Sequence, residues 1–192
     1  GACGDPRKCE HHNAGHAANL QLALANSCNS YFLQVFRMAI DNPKYKSAKG
    51  GYVKWKEYMN AFGFGRKLGV DLPSENKANI PDTAKYSKDF GNPKYWNSCY
   101  MLTLGIGQDR MTATPLQLAN SMAFIANDGY YYTPHFVDSI ESETQEEAAQ
   151  LAPFRKKQKV TKSDIFGIMV WRRRLFPQEG CLVFGRQRRI PF

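Results

Sequence analysis

NLQLALANSCNSYFLQVF, Asn19 to Phe36, is the most informative run in the 192 residues. Leu20, Leu22, Leu24, Ala25, Tyr31, Phe32, Val35 and Phe36 recur close to the helical period, on a face wide enough to predict a largely buried helix. In its middle stand Ser27, Cys28 and Asn29, flanked by Asn26 and Ser30. Short polar side chains compete with the helical ladder for backbone partners, so this cluster predicts a helix end or a turn between two helices. From such a turn the Ser27 hydroxyl and the Asn29 carboxamide are expected to project into one cleft. The competing reading is a capped helix junction that carries no chemistry.

A chain of this length buries one good core and is normally one domain. No window reaches the about 18 uninterrupted apolar residues of a membrane span, and no signal peptide is visible. The net charge of +9 raises the question of nucleic acid. Six arginines (172, 173, 174, 186, 188 and 189) fall after Val170, against the single acid Glu179, so the excess is concentrated at one end. Over 1–170 the surplus is modest and spread out, which is a solvated surface and not a nucleic-acid footprint. Lysine vanishes and apolar periodicity stops beyond Val170. The boundary therefore separates a domain at 1–170 from a basic tail at 171–192, whose composition is that of an out-of-frame terminus.

Cysteines 3, 9, 28, 99 and 181 are odd in number and show no paired C-x-x-C spacing, so a disulfide scaffold is not expected. Cys28 and Cys99 are expected to be buried and inert. Ahead of the key stretch, Cys9, His11, His12 and His16 supply the ligand types zinc prefers. There is no matching second cluster, and the remaining His135 is remote in sequence. A solvent-exposed, His-rich loop without metal is therefore the expectation, with those four residues as the only metal candidates.

Further along, Asp41–Gly51 has the Pro, Gly and Lys content of a loop, and Tyr52–Phe62 reads as an amphipathic helix with Tyr52, Trp55, Tyr58, Met59 and Phe62 on one side. Ser74-Glu75-Asn76-Lys77 fits Ser-x-x-Lys, the spacing that sets a lysine amine beside a serine hydroxyl on a helix. Pro73 and Pro81 bracket it, so a surface turn is expected. Thr83–Tyr95 reads as a polar loop, and Trp96–Leu104 as strand-like or buried extended chain. Gly105-Ile106-Gly107-Gln108 lacks the continuation of a phosphate loop and predicts a tight turn. Thr114-Pro115 signals a helix start, and Leu116, Leu118, Ala119, Met122, Ala123 and Ile125 predict a buried helix to Asn127. Tyr130–Ile140 reads as a strand, the acidic and basic runs at 141–159 as a solvated hairpin or loop, and Thr161–Val170 as a further helix.

Two runs, NLQLALANSCNSYF (19–32) and LTLGIGQDRMTATPLQLANSMAFIANDGYYYTPHFV (102–137), strongly resemble the transpeptidase domain of class B penicillin-binding proteins, nearest to the elongation type, penicillin-binding protein 2. The resemblance extends over about Cys9 to Val170 and implies an α+β, β-lactamase/transpeptidase-like fold, an antiparallel sheet flanked by helices, of which mainly the helical half is present. It starts abruptly and the chain does not begin with Met, so a piece of a longer protein is expected, with any membrane anchor upstream.

Members of that family cross-link peptidoglycan by serine acyl transfer, without a cofactor. The resemblance maps their second motif onto Ser27 and Asn29: Ser27 as proton relay, Asn29 as the amide that orients substrate and the motif lysine. The nucleophile motif precedes the Ser-x-Asn motif in the family, which removes Ser74-x-x-Lys77 as a candidate. No Ser-x-x-Lys lies upstream of Ser27, and no Lys-Thr-Gly or Lys-Ser-Gly occurs in the chain. Acylation by these 192 residues alone is not expected. The implied partners are stem peptides ending in D-Ala-D-Ala, β-lactams, and membrane proteins of the elongation machinery, on the periplasmic face of the bacterial inner membrane. The other readings are a non-catalytic module binding anionic polymers through its tail, and a β-lactamase-like sensor.

Overall fold

Why the chain breaks into short helices follows from its caps. The computed structural model describes residues 3, 17–91, 96–137, 144–152 and 157–159. Asn19 opens α1 (Leu20–Ala25) by accepting from the Leu22 N–H at 2.8 Å, and α2 (Asn29–Ile40) follows after a turn of three residues. Ser47 caps α3 (Ala48–Ala61) and Asp82 caps α4 (Thr83–Phe90) in the same way. A 3-10 helix at Ser98–Ile106 starts from Asn97 and kinks at Met101. Thr114 and Gln117 form a reciprocal capping box at α5 (Pro115–Ala126), and Thr144 and Glu147 repeat it at α6 (Gln145–Leu151). The described strands are β1 (Tyr130–Tyr132) and β2 (Lys157–Lys159), antiparallel with Tyr131 opposite Gln158.

The core lies between α2, α3, α4 and the 98–106 segment. Leu33, Phe36 and Ile40 of α2 meet Tyr52, Tyr86, Met101, Leu102 and Leu104. Each such side chain contributes about 1.5–3 kcal/mol by leaving water. Edge-on contacts tie Tyr52 to Tyr86 with ring centroids 5.2 Å apart, and Phe36 to Trp55 at 5.5 Å. The Tyr52 hydroxyl donates to the Pro81 carbonyl at 2.6 Å, so the buried ring carries no orphan polar atom. Burial pushes the Tyr52 and Tyr86 hydroxyls well above the usual phenol range, and nearby Asp109 adds to both shifts.

Several expectations are corrected. The helix at 48–61 starts inside the stretch read as a loop, because Ser47 caps it and Gly50 and Gly51 serve a close helix crossing. Thr83–Phe90 is helical and not a loop: the Asp82 cap and the i, i+4 pair Tyr86/Phe90 suffice. Trp96–Leu104 is not strand-like, since residues 98–106 lie helically along α2. The acidic run of the expected hairpin contains α6. The buried side of α5 is inverted: Gln117, Asn120, Ser121 and Phe124 point inward, while Leu118, Met122 and Ile125 are 52–62% exposed. The first half of the key stretch is also less buried than predicted, with Ala23 buried and Leu20, Leu22 and Leu24 exposed. A disulfide, against expectation, joins Cys3 to Cys99. Cys99 is thus exposed and bridged, while Cys28 is buried as expected.

The cluster Cys9, His11, His12 and His16, the helix predicted at 161–170 and the tail at 171–192 lie outside the described residues. Among the described residues, no helix is long and apolar enough to cross a membrane.

Candidate functional site

The polar triplet occupies the turn between α1 and α2, and the backbone there is tightly specified. The Asn26 N–H bonds the Leu22 carbonyl at 2.9 Å, the Ser27 N–H bonds Leu24 at 3.1 Å, and the Cys28 N–H reaches back to Ala23 at 2.9 Å. The last two bonds are the paired closure of a Schellman motif, with buried Ala23 and Cys28 as its apolar contact. The motif puts Ser27 in the left-handed region, φ +47°, where glycine is the usual occupant. Cys28 turns inward and Asn29 begins α2.

Ser27 and Asn29 are both exposed. The structure thus brings hydroxyl and carboxamide to the surface on either side of buried Cys28. A groove of about 320 Å³ lies elsewhere, between Val70, Leu72, Pro73, Leu116 and Phe136. Neither Ser27 nor Asn29 has a side-chain hydrogen bond among the described residues.

The start of the second family-like stretch packs against α2. Gly105 packs on α2 so closely that a Cβ there would lie 2.6 Å from the Phe36 Cβ and 3.0 Å from the Phe32 carbonyl oxygen. Gly105 therefore meets the middle of α2, at Phe32 and Phe36. Gly107 adopts φ +71° and closes the 98–106 segment, as the spacing of the two glycines predicted.

Asp109 follows at φ +90°, an unusual conformation for a residue with a side chain. Its Oδ2 accepts from the Tyr86 hydroxyl at 2.9 Å, and the neighbouring Arg110 pairs with Asp89 of α4. This network fastens α4 to the turn. Sequence reasoning missed it; the only signal was an aspartate directly after Gly107-Gln108.

Gln117 was also missed. Its Nε2 donates to the Arg66 carbonyl at 2.9 Å and to the Lys77 carbonyl at 3.0 Å, pinning the 66–77 loop to α5. Within that loop Ser74 and Lys77 are exposed and not helical, so they form no nucleophile pair, as the flanking prolines implied. Among the described residues no group of three or more His, Cys, Asp or Glu could hold a metal ion.

A family model for the penicillin binding protein transpeptidase domain matches residues 4–166. The peptidoglycan D,D-transpeptidase MrdA of Haemophilus influenzae is 34% identical over 129 residues, covering 66% of this chain and 18% of that protein. The Escherichia coli K12 protein of the same name is 32% identical over 127 residues, covering 65% of this chain and 18% of its own length. Among solved structures, PBP2 of Pseudomonas aeruginosa, in complex with WCK 5153, resembles this chain with a TM-score of 0.52 at 23% identity. That match covers 82% of this chain and 32% of the other, and is a likeness of fold. The chain spans less than a fifth of the length of these curated relatives.

Proposed function

The chain belongs to the penicillin-binding protein transpeptidase family, and on that premise we propose that it carries the Ser-x-Asn part of a D,D-transpeptidase site that cross-links peptidoglycan. The observation that carries this reading is the match over residues 4–166 together with a serine kept in a glycine conformation at the motif position. A left-handed serine costs stability that glycine would not, so its hydroxyl is retained for another reason.

In this proposal Ser27 acts through its hydroxyl, which both accepts and donates a proton. It passes the proton released by an attacking serine on to the departing amine of D-Ala, a relay that typically gains about 10²–10⁴ in rate. Asn29 offers a carbonyl and an NH₂ at the start of α2, suited to orienting a substrate amide. The nucleophile and the strand that supplies oxyanion donors are not among these residues, so the 192-residue chain forms no acyl-enzyme by itself. Stem peptides ending in D-Ala-D-Ala, β-lactams and membrane proteins of cell elongation are the proposed partners. The proposed location is the periplasmic face of the inner membrane. The Cys3–Cys99 bridge supports that compartment, since disulfides persist where the surroundings are oxidising.

Fluorescent penicillin labelling tests the assignment in two forms. The chain alone should give no covalent, serine-linked adduct, and an adduct would overturn the division of roles. A chimera in which residues 19–137 replace the aligned stretch of the H. influenzae relative should label. Ser27→Ala in that chimera should slow labelling about a hundredfold or more. Labelling of Ser27→Ala at the parent rate would remove Ser27 from the mechanism.

A further inference from the structure

Positive charge gathers at one place in the fold. Between Asn42 and Lys56 there are five lysines and no acid. Lys44 and Lys46 stand just before the Ser47 cap, and Lys49 and Lys56 follow it on α3. Seven residues carry a helix through about two turns, so Lys49 and Lys56 share one side of α3, about 10 Å apart along its axis. That side is turned toward α4: the Lys49 Nζ lies 5.7 Å from the centre of the Trp96 ring, whose Nε1–H donates to the Ser87 hydroxyl at 2.9 Å. Lys44, Lys46 and Lys49 are exposed, and Lys56 is partly so.

Ion pairing does not account for these cations. The acids at the two ends of the run are engaged, Asp41 by the Ser98 hydroxyl at 2.6 Å and by Arg37, and Glu57 by Lys54 at 2.8 Å. Among the described residues, Lys44, Lys46, Lys49 and Lys56 have no ion pair. Helix stability does not account for them either. The first turn of α3 holds no acid, and cations beside the positive end of a helix dipole oppose the helix. Val53, 40% exposed, is the one exposed large apolar side chain of α3. A helix that lies in a bilayer needs a whole apolar face, so this surface suits a partner held by charge from water.

We propose that Lys44, Lys46, Lys49 and Lys56 form a docking track for a polyanion bearing carboxylates at intervals, the peptidoglycan strand that is being cross-linked. The stem peptides of such a strand end in carboxylates, which are the counter-charges the lysines lack. The track is removed from the Ser27 turn. α2, 12 residues and so about 18 Å long, runs from Asn29 to Ile40, and α3 crosses its far end where Gly51 meets Ile40. A strand bound there is held by a surface remote from the reacting atoms, so the track adds affinity and not chemistry. The identity of the polymer rests on the transpeptidase reading above, whereas the lysines act without Ser27.

The experiment is co-sedimentation of the 192-residue chain with purified peptidoglycan sacculi over a range of sodium chloride concentrations. The chain should pellet at low salt and be released as screening grows. Lys46→Gln/Lys49→Gln/Lys56→Gln should weaken binding about tenfold. Its Tm should equal or exceed that of the parent, since the lost cations oppose the helix start. Lys67→Gln/Lys77→Gln, which removes exposed charge from the 66–77 loop, should change binding by less than about twofold. Sacculi whose carboxyls have been converted to amides should not bind. The same results should follow when the six tail arginines (172, 173, 174, 186, 188 and 189) are glutamine. Parent-level binding by the triple variant, an equal loss from the 66–77 loop variant, binding that disappears with the tail arginines alone, or tighter binding to phosphatidylglycerol vesicles than to sacculi would each overturn the track. A chimera that labels with penicillin as expected while the triple variant binds like the parent removes the track and leaves the functional reading. Lysine-dependent sacculus binding with Ser27→Ala labelling at the parent rate does the reverse.

Discussion

Gly51 lies so close to Ile40 that a Cβ on it would sit 2.0 Å from the Ile40 carbonyl oxygen. That clash is with backbone, so no side-chain rotation relieves it, and α3 could admit even alanine only by moving off the end of α2. Gly51→Ala is expected to destabilise the chain by about 2–4 kcal/mol. The urea midpoint measures it. Gly69→Ala is the control: nothing lies within 4 Å of its Cβ position, though φ is +88°, so the cost there is conformational and about 1 kcal/mol.

Gln117→Leu should cost about 2–4 kcal/mol even though leucine is the better helix former. The glutamine is 1% exposed and donates to two carbonyls, Arg66 and Lys77, which the substitution strands without partners. Its Oε1 also accepts from the Thr114 N–H at 3.1 Å, so the start of α5 frays together with the loop. Thermal unfolding should fall, and proteolysis should open first within 66–77.

Acid should loosen the chain through two carboxylates. Asp71 accepts from the Phe136 and Val137 N–H groups at 2.9–3.0 Å. Desolvation pushes its carboxyl up, but the Val137 and Phe136 donors outweigh that and hold it below its ordinary 3.8. Glu147 is likewise held below 4.5, by the Thr144 backbone N–H and then its hydroxyl. A carboxyl depressed on folding adds stability above its unfolded value and loses it as pH falls through the lower folded value. Tm should therefore be level from pH 7 to about 5 and drop on further acidification. Asp71→Asn should lower Tm at pH 7 and flatten the acid limb.

Ser27→Gly should stabilise the chain by about 0.5–1 kcal/mol, the reverse of an ordinary glycine substitution, because φ is +47° there. Ser27→Ala relieves nothing and should leave stability close to that of the parent. Denaturant midpoints for the two variants separate backbone strain from side-chain chemistry.

The legible parts of this fold are those fixed by local chemistry. Thr114-Pro115 and Asp128-Gly129 delimit α5 from sequence, and the prolines around Ser74 exclude a helical Ser-x-x-Lys. Which side of α5 is buried was not legible, because the inward Gln117 and Asn120 answer to carbonyls far away in the chain, at Arg66, Lys77 and Phe62. The 98–106 segment is similar: a continuous apolar run fits a strand or a buried helix equally well, and contact with α2 decides. Of the candidate site, the turn bearing Ser27 and Asn29 was readable from its polar triplet. The disulfide was not, since Cys3 and Cys99 are 96 residues apart with no spacing that pairs them.

The left-handed serine has a bearing on how this domain can be engineered. A library selected for heat resistance alone will converge on glycine at position 27, since nothing in such a screen rewards the hydroxyl. If Ser27 relays a proton as proposed, a selection that demands turnover retains the serine, and the residue recovered at that one position reports what the library was asked to do.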